Sequence, residues 1–144
     1  MNKTLFFLFA LVWAGIILHF SCQSALLENH QEASGIADRL FNFLKIREEI
    51  RGELLSAGGH VFEYFFLSVF LLGLVRSFNL RYPHFLACAL AIFFGLVDEF
   101  IQGFVPGRIS AVEDVMIDAI GAGLGIMAVS LHALVARHRF RFYT

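Results

Sequence analysis

Four long apolar runs constrain this chain more than any other feature: roughly Thr4–Ser21, Leu54–Val75, His84–Val105 and Val112–Ala136. A helix needs about 20 residues to cross a bilayer's hydrocarbon core. In lipid, every backbone polar group must be satisfied internally, which leaves helices for runs of this kind. Composition agrees, with 58% of the 144 residues hydrophobic and a mean hydropathy of +0.73. A soluble domain of this size needs a more polar surface. The expected architecture is all-α, an integral membrane four-helix bundle forming a single domain over residues 1–144. A net charge of −1, without basic excess, argues against a nucleic-acid partner.

Lys3 before "LFFLFALVWAGIILHF" raises the question of a signal peptide. The run is long for such a segment, and no A-x-A site follows it. "FSCQ" lacks the small residue that lipoprotein cleavage prefers three positions before the cysteine, so the first run reads as an uncleaved anchor. With four spans, Lys3, Arg76, Arg81 and the tail "RHRFRF" fall on one side of the membrane. The positive-inside rule then puts both termini in the cytoplasm and the long first loop outside. Cys22 and Cys88 fall at opposite faces, too far apart for a disulfide, and read as buried small hydrophobes.

The first loop is expected to be partly helical. In "GIADRLFNFLKIREEIRGELL", Ile36, Leu40, Phe43, Leu44, Ile50 and Leu54 recur at helical spacing, which fits a helix lying on the outer leaflet. The plainer alternative is an extracytoplasmic loop without structure. "RSFNLRYP" is short, so spans two and three form an antiparallel hairpin. In "VPGR", Pro106 and Gly107 suit the central positions of a type II turn, which returns the chain into span four and holds Arg108 at the bend.

Against this apolar background the placement of ionisable residues is informative. His60 and Glu63 lie in the first half of span two, Asp98 and Glu99 in the last half of span three, and Glu113, Asp114 and Asp118 at the start of span four. Antiparallel threading puts all seven in one leaflet, whichever way the protein faces. His60, Glu63 and Tyr64 share a helical face, as do Asp98 and Gln102. Asp114, Asp118, Gly121 and Gly125 form a stripe whose small residues permit close helix packing. A charged group at mid-membrane costs about 2.5–3.5 kcal/mol, so such groups usually face a cavity and one another. The repulsion among five acids (Glu63, Asp98, Glu99, Asp114 and Asp118) has three remedies: some stay protonated, a cation binds, or the pocket is wet.

Each residue also has a plainer reading. Glu113 and Asp114 suit a helix first turn through the macrodipole. Arg108 can serve only to neutralise Asp98 or Glu99, and His60 only as a structural hydrogen bonder. "GAGLG" lies within an apolar helix and reads as a packing surface, not a phosphate loop.

The ordered blocks "SCQS", "HVFEY", "DEFIQGFVPGR" and "EDVMIDAIGAGLG" resemble the VanZ-like family of membrane proteins over essentially the whole chain. The family pattern is matched at Asp98, Glu99, Gln102, Pro106, Gly107, Arg108, Asp114, Asp118 and Gly121. Two positions depart from it: Ile101 stands where members often carry histidine, and "SAGG" precedes His60 where an Arg-Lys pair is common. The resemblance implies a bacterial cell-membrane protein, and the family's namesake is associated with resistance to the glycopeptide teicoplanin.

Three functional readings follow. In the first, an outer-leaflet polar pocket binds an anionic or lipid-linked envelope component or another membrane protein, through Gln102, Arg108, Asp114 and Asp118. In the second, a membrane enzyme uses His60, Glu63, Asp98 and Glu99 for acid–base work on a lipid-linked phosphate or sugar, with a divalent metal as the cofactor to test. In the third, the acids relay protons or cations. No ionisable residue in the inner halves of the spans completes such a path, so transport would require a homo-oligomer.

Overall fold

A computed structural model describes residues 2–22, 34–108 and 110–141. Its helices are α1 (Lys3–Ser21), α2 (Ser34–Phe43), α3 (Arg51–Ser77), α4 (Pro83–Gln102) and α5 (Val112–Arg141). A single 3₁₀ turn, Glu48–Ile50, leads into α3. No strand occurs among the described residues. Four helices are long and apolar enough to cross a membrane: α1, α3 with its 3₁₀ turn, α4, and α5 as far as His138.

Local chemistry sets the boundaries. Asn2 caps α1, its side-chain oxygen accepting from the backbone N–H groups of Thr4 and Leu5 at 3.1 and 3.3 Å. Pro83 opens α4 in the first turn, where its missing N–H costs nothing. Asn79, at φ 55°, takes the left-handed conformation that asparagine tolerates and stops α3 from continuing. At the other hairpin Gly107 has φ 84°, and Arg108 N–H donates to the Val105 carbonyl at 3.1 Å, the closure a type II turn requires. α4 ends at Gln102, before the apolar run does, and Phe104 and Val105 already bond in the tight i−3 pattern of the turn.

α3 is the hub. It packs most extensively on α5 and also contacts α1 and α4, while α4 packs on α5. Glycine makes the α3–α5 approach close. A Cβ on Gly121 would lie 2.6 Å from the Val61 carbonyl oxygen, and one on Gly125 would overlap the Phe65 carbonyl and Ser68 Oγ. α1 docks through Phe6, whose ring occupies the space beside Gly73. It docks also through Trp13, whose indole N–H donates to the Glu63 carbonyl at 2.8 Å among Phe62, Phe66 and Phe70. Ile17, Tyr64, Leu67, Ala91 and Ala122 form the apolar centre.

The outside is apolar, and part of the inside is polar. Phe7, Leu11 and Val12 of α1, Phe93, Leu96 and Phe100 of α4, and Met116, Ile120 and Leu131 of α5 are exposed. His60, Asp98, Glu99, Gln102 and Asp118 are buried. Lipid as the surrounding solvent accounts for this inversion.

The first loop differs from expectation. The apolar periodicity suggests one continuous helix, but α2 stops at Phe43, Lys45 turns at φ 55°, and Arg51 caps the bend by donating to Asn42 Oδ1 and the Ile46 carbonyl. Phe41 is the buried residue here, with the Arg51 guanidinium over its ring, while Leu40, Phe43 and Leu44 are exposed. The side chain of Ile36, together with residues 23–33, lies outside the described residues. Both cysteines are free. Cys22 is exposed rather than buried, because it caps the end of α1 beyond the packed face, and Cys88 is half-buried.

Candidate functional site

The polar residues gather at the end of the bundle where α1 and α4 finish and α5 begins. His60 reaches this level from the third turn of α3, and Asp114 and Asp118 lie in the first two turns of α5. Asp98, Glu99 and Gln102 close α4.

The central contact is His60 Nδ1 to Asp118 Oδ1 at 2.8 Å, joining α3 to α5 with both side chains buried. Its geometry depends on glycine. A Cβ on Gly95 would lie 2.7 Å from Asp118 Oδ2, so α4 leaves the notch into which the carboxylate fits. Gly121, one turn along, brings α5 against the α3 backbone at Val61, next to His60. The position of Asp118 is therefore set by small residues on its own helix and on its neighbour.

Asp98 is the second node and is fully buried. Its Oδ2 accepts from Gln102 Nε2 at 3.2 Å, one turn along α4. Its Oδ1 lies within hydrogen-bonding distance of Ser21 Oγ on α1, and that hydroxyl is also 2.9 Å from the Ile17 carbonyl. With a single proton, the serine serves one of these two acceptors at a time. Glu99 faces the other way. Its Oε2 accepts the Ala111 backbone N–H at 2.9 Å, which ties the end of α4 to the residue preceding α5 across the Pro106–Gly107 turn. A carboxylate there also faces the positive end of the α5 dipole.

Three buried oxygens, Tyr64 OH, Glu99 Oε1 and Asp118 Oδ2, have no hydrogen-bond partner among the described residues. Such atoms are few in native structures, and each calls for an explanation in strain, function, or a water or ion. One nitrogen or oxygen from each of His60, Glu99 and Asp114 lies within 4.8 Å of the others, a grouping compatible with a metal ion.

The remaining sequence-selected residues surround this core. Glu63 is half-buried one turn from His60, with its carbonyl held by Trp13. Asp114 is half-buried and Glu113 exposed in the first turn of α5. Arg108, half-buried in the turn, donates to the Phe20 carbonyl at 3.3 Å and so joins the α4–α5 hairpin to the end of α1. Sequence reasoning did not single out Ser21 or Gly95. Ser21 lies in the "SCQS" block, whose Gln23 and Ser24 are outside the described residues. A lone serine at a span end carries no signal of its own, and neither does one glycine in an apolar helix.

Among known proteins, a search of curated sequences and one of solved structures each returned no match. A family model described as VanZ/LLP1 matches residues 6–134, nearly the whole chain. That interval contains every residue of the polar cluster and the greater part of each of the four long apolar helices, and the chain is a membrane protein belonging to the VanZ/LLP1 family.

Proposed function

We propose that this protein acts as a single transmembrane domain over residues 1–144 in the bacterial cytoplasmic membrane, with both termini in the cytoplasm. In this reading its polar end faces the outer leaflet and recognises an anionic or lipid-linked envelope component, contributing to glycopeptide (teicoplanin) tolerance. The observation that carries the reading is the convergence of His60, Asp98, Glu99, Gln102 and Asp118, from three helices, at the end where Arg108 is held. Arg108 offers the planar fork that suits phosphate or carboxylate. The exposed rings of Phe100 and Phe104, 5.1 Å apart beside that turn, offer an apolar surface to an attached lipid chain. Half-buried Asp114, with buried Gln102 and Asp118 behind it, would define the polar lining of the pocket in this reading.

The test is teicoplanin susceptibility in a glycopeptide-sensitive bacterial host at matched membrane levels of the protein. The parent protein is expected to protect, and Arg108→Ala and His60→Ala to lose most of that protection. Protection by both variants equal to the parent would show that the polar end is not the working site.

A second reading, a membrane enzyme acting on a lipid-linked phosphate or sugar, draws on the His60–Asp118 contact. A carboxylate on Nδ1 fixes an imidazole's tautomer and orientation for acid–base work. Glu63, Asp98 and Glu99 would supply the accompanying acids. Turnover of lipid-linked phosphates by the purified protein, lost in His60→Ala, would favour this reading over recognition alone.

A further inference from the structure

We infer that His60, Glu99 and Asp114 form a binding site for a divalent transition-metal ion of the zinc class, with Asp118 as the residue that positions the imidazole. The inference deepens the recognition reading by naming what would offset the acids and meet an anion, and it rests on that reading only for the anion. Three observations carry it independently.

The first is the donor set. One ligand atom from each of the three residues lies within 4.8 Å of the others, although they come from α3, α4 and α5. Tetrahedral ligands about 2.1 Å from an ion lie roughly 3.4 Å apart, so closure requires side-chain movements on the order of 1 Å. The second is an unsatisfied ligand. Glu99 is 4% exposed, its Oε2 is engaged by Ala111 N–H, and its Oε1 is buried without a partner among the described residues. A buried carboxylate oxygen in that state calls for a cation or a donor. The third is the support behind the histidine. Asp118 Oδ1, 2.8 Å from His60 Nδ1, is the outer carboxylate that metal-bound histidines usually carry, and with Nδ1 so engaged the ion would take Nε2.

Chemistry selects the ion. An imidazole with two carboxylates suits zinc or a neighbouring transition ion, whereas magnesium and calcium favour all-oxygen sets. Three protein ligands leave a fourth position for water or for an oxygen of an incoming phosphate or carboxylate. Asp114, half-buried in the first turn of α5, is the ligand nearest the outside of the cluster.

The experiment uses the full chain in detergent micelles or nanodiscs, without a polyhistidine tag. It is equilibrated with zinc, desalted, and assayed for bound metal and for affinity by competition with a chelating dye. About one zinc per chain is expected, retained in the presence of excess magnesium. His60→Ala and Glu99→Gln should abolish retention, and Asp114→Asn should weaken it at least tenfold. Asp118→Asn should weaken affinity by about 10- to 100-fold while stoichiometry at saturating zinc is kept, the signature of a positioning residue. Glu53→Gln, at an exposed site outside the cluster, should bind as the parent does. Helicity and monodispersity verify that each variant is folded. Cobalt loading supplies a second readout, because its visible spectrum in the parent reports nitrogen–oxygen coordination and should change in Asp114→Asn, the variant with the least buried ligand. No retained zinc, retention lost equally to magnesium, or retention indifferent to His60, Glu99 and Asp114 would each overturn the site. Because no lipid-linked envelope component or antibiotic enters the assay, its failure is separable from failure of the susceptibility test.

Discussion

At the end of the bundle where α1 begins and α3 meets α4, cations sit on the outside and rest on neutral groups. Lys3 Nζ lies 5.8 Å from the centroid of Phe78, Arg81 stacks 5.2 Å from that of Tyr82, and Arg76 donates to His84 Nε2 at 2.9 Å. At the other end the charge-bearing groups are acids and an imidazole, and they are inside: Asp98 and Asp118 are fully buried and joined to Ser21, Gln102 and His60. The stakes at the two ends differ. Rim cations keep their hydration. Interior acids have given up water, so each depends on a specific partner, and loss of that partner leaves a buried group uncompensated.

The contrast is sharpened first by His60→Ala. Stranding Asp118 in the interior should lower stability by about 3–5 kcal/mol, as breaking a buried pair does. The measurement is equilibrium unfolding in mixed micelles. The double variant His60→Leu/Asp118→Leu should recover much of that loss, since neither partner is then left buried alone. An intermediate effect, about 1–3 kcal/mol, is expected for Gly125→Ala, which pushes a methyl into the Phe65 carbonyl and Ser68 on α3 while leaving the polar pairs in place. The smallest effect belongs to Arg81→Gln at the rim, where unfolding should not be resolvably altered. If Arg81→Gln cost as much as His60→Ala, the distinction between the two ends would fail.

Much of this arrangement was legible in the sequence, for identifiable reasons. Four apolar runs of membrane length admit few alternatives to four helices, and the Pro106–Gly107 pair announces its own turn. Antiparallel threading alone carries His60, Asp98 and Asp118 to one end. Pairing within that end was not legible. Spacing places Asp98 and Gln102 one turn apart, but it does not show that Asp118 rather than Glu63 receives the imidazole, or that Glu99 turns to the Ala111 backbone. The choice of Asp118 depends on Gly95 and Gly121, whose missing side chains matter only once three helices are assembled. In the first loop the apolar stripe, interrupted at Arg47, spans Lys45, a residue whose identity gives no warning of a left-handed backbone.

The bond between Ser21 and Asp98 links the first of the four long helices with the third, and Asp118 belongs to the fourth. During synthesis, His60 therefore enters the bilayer long before its carboxylate partner exists. Completion of the interior network is thus timed by the emergence of α5 from the insertion machinery, and a chain interrupted after the Pro106–Gly107 turn would hold every helix but the one that closes the circuit.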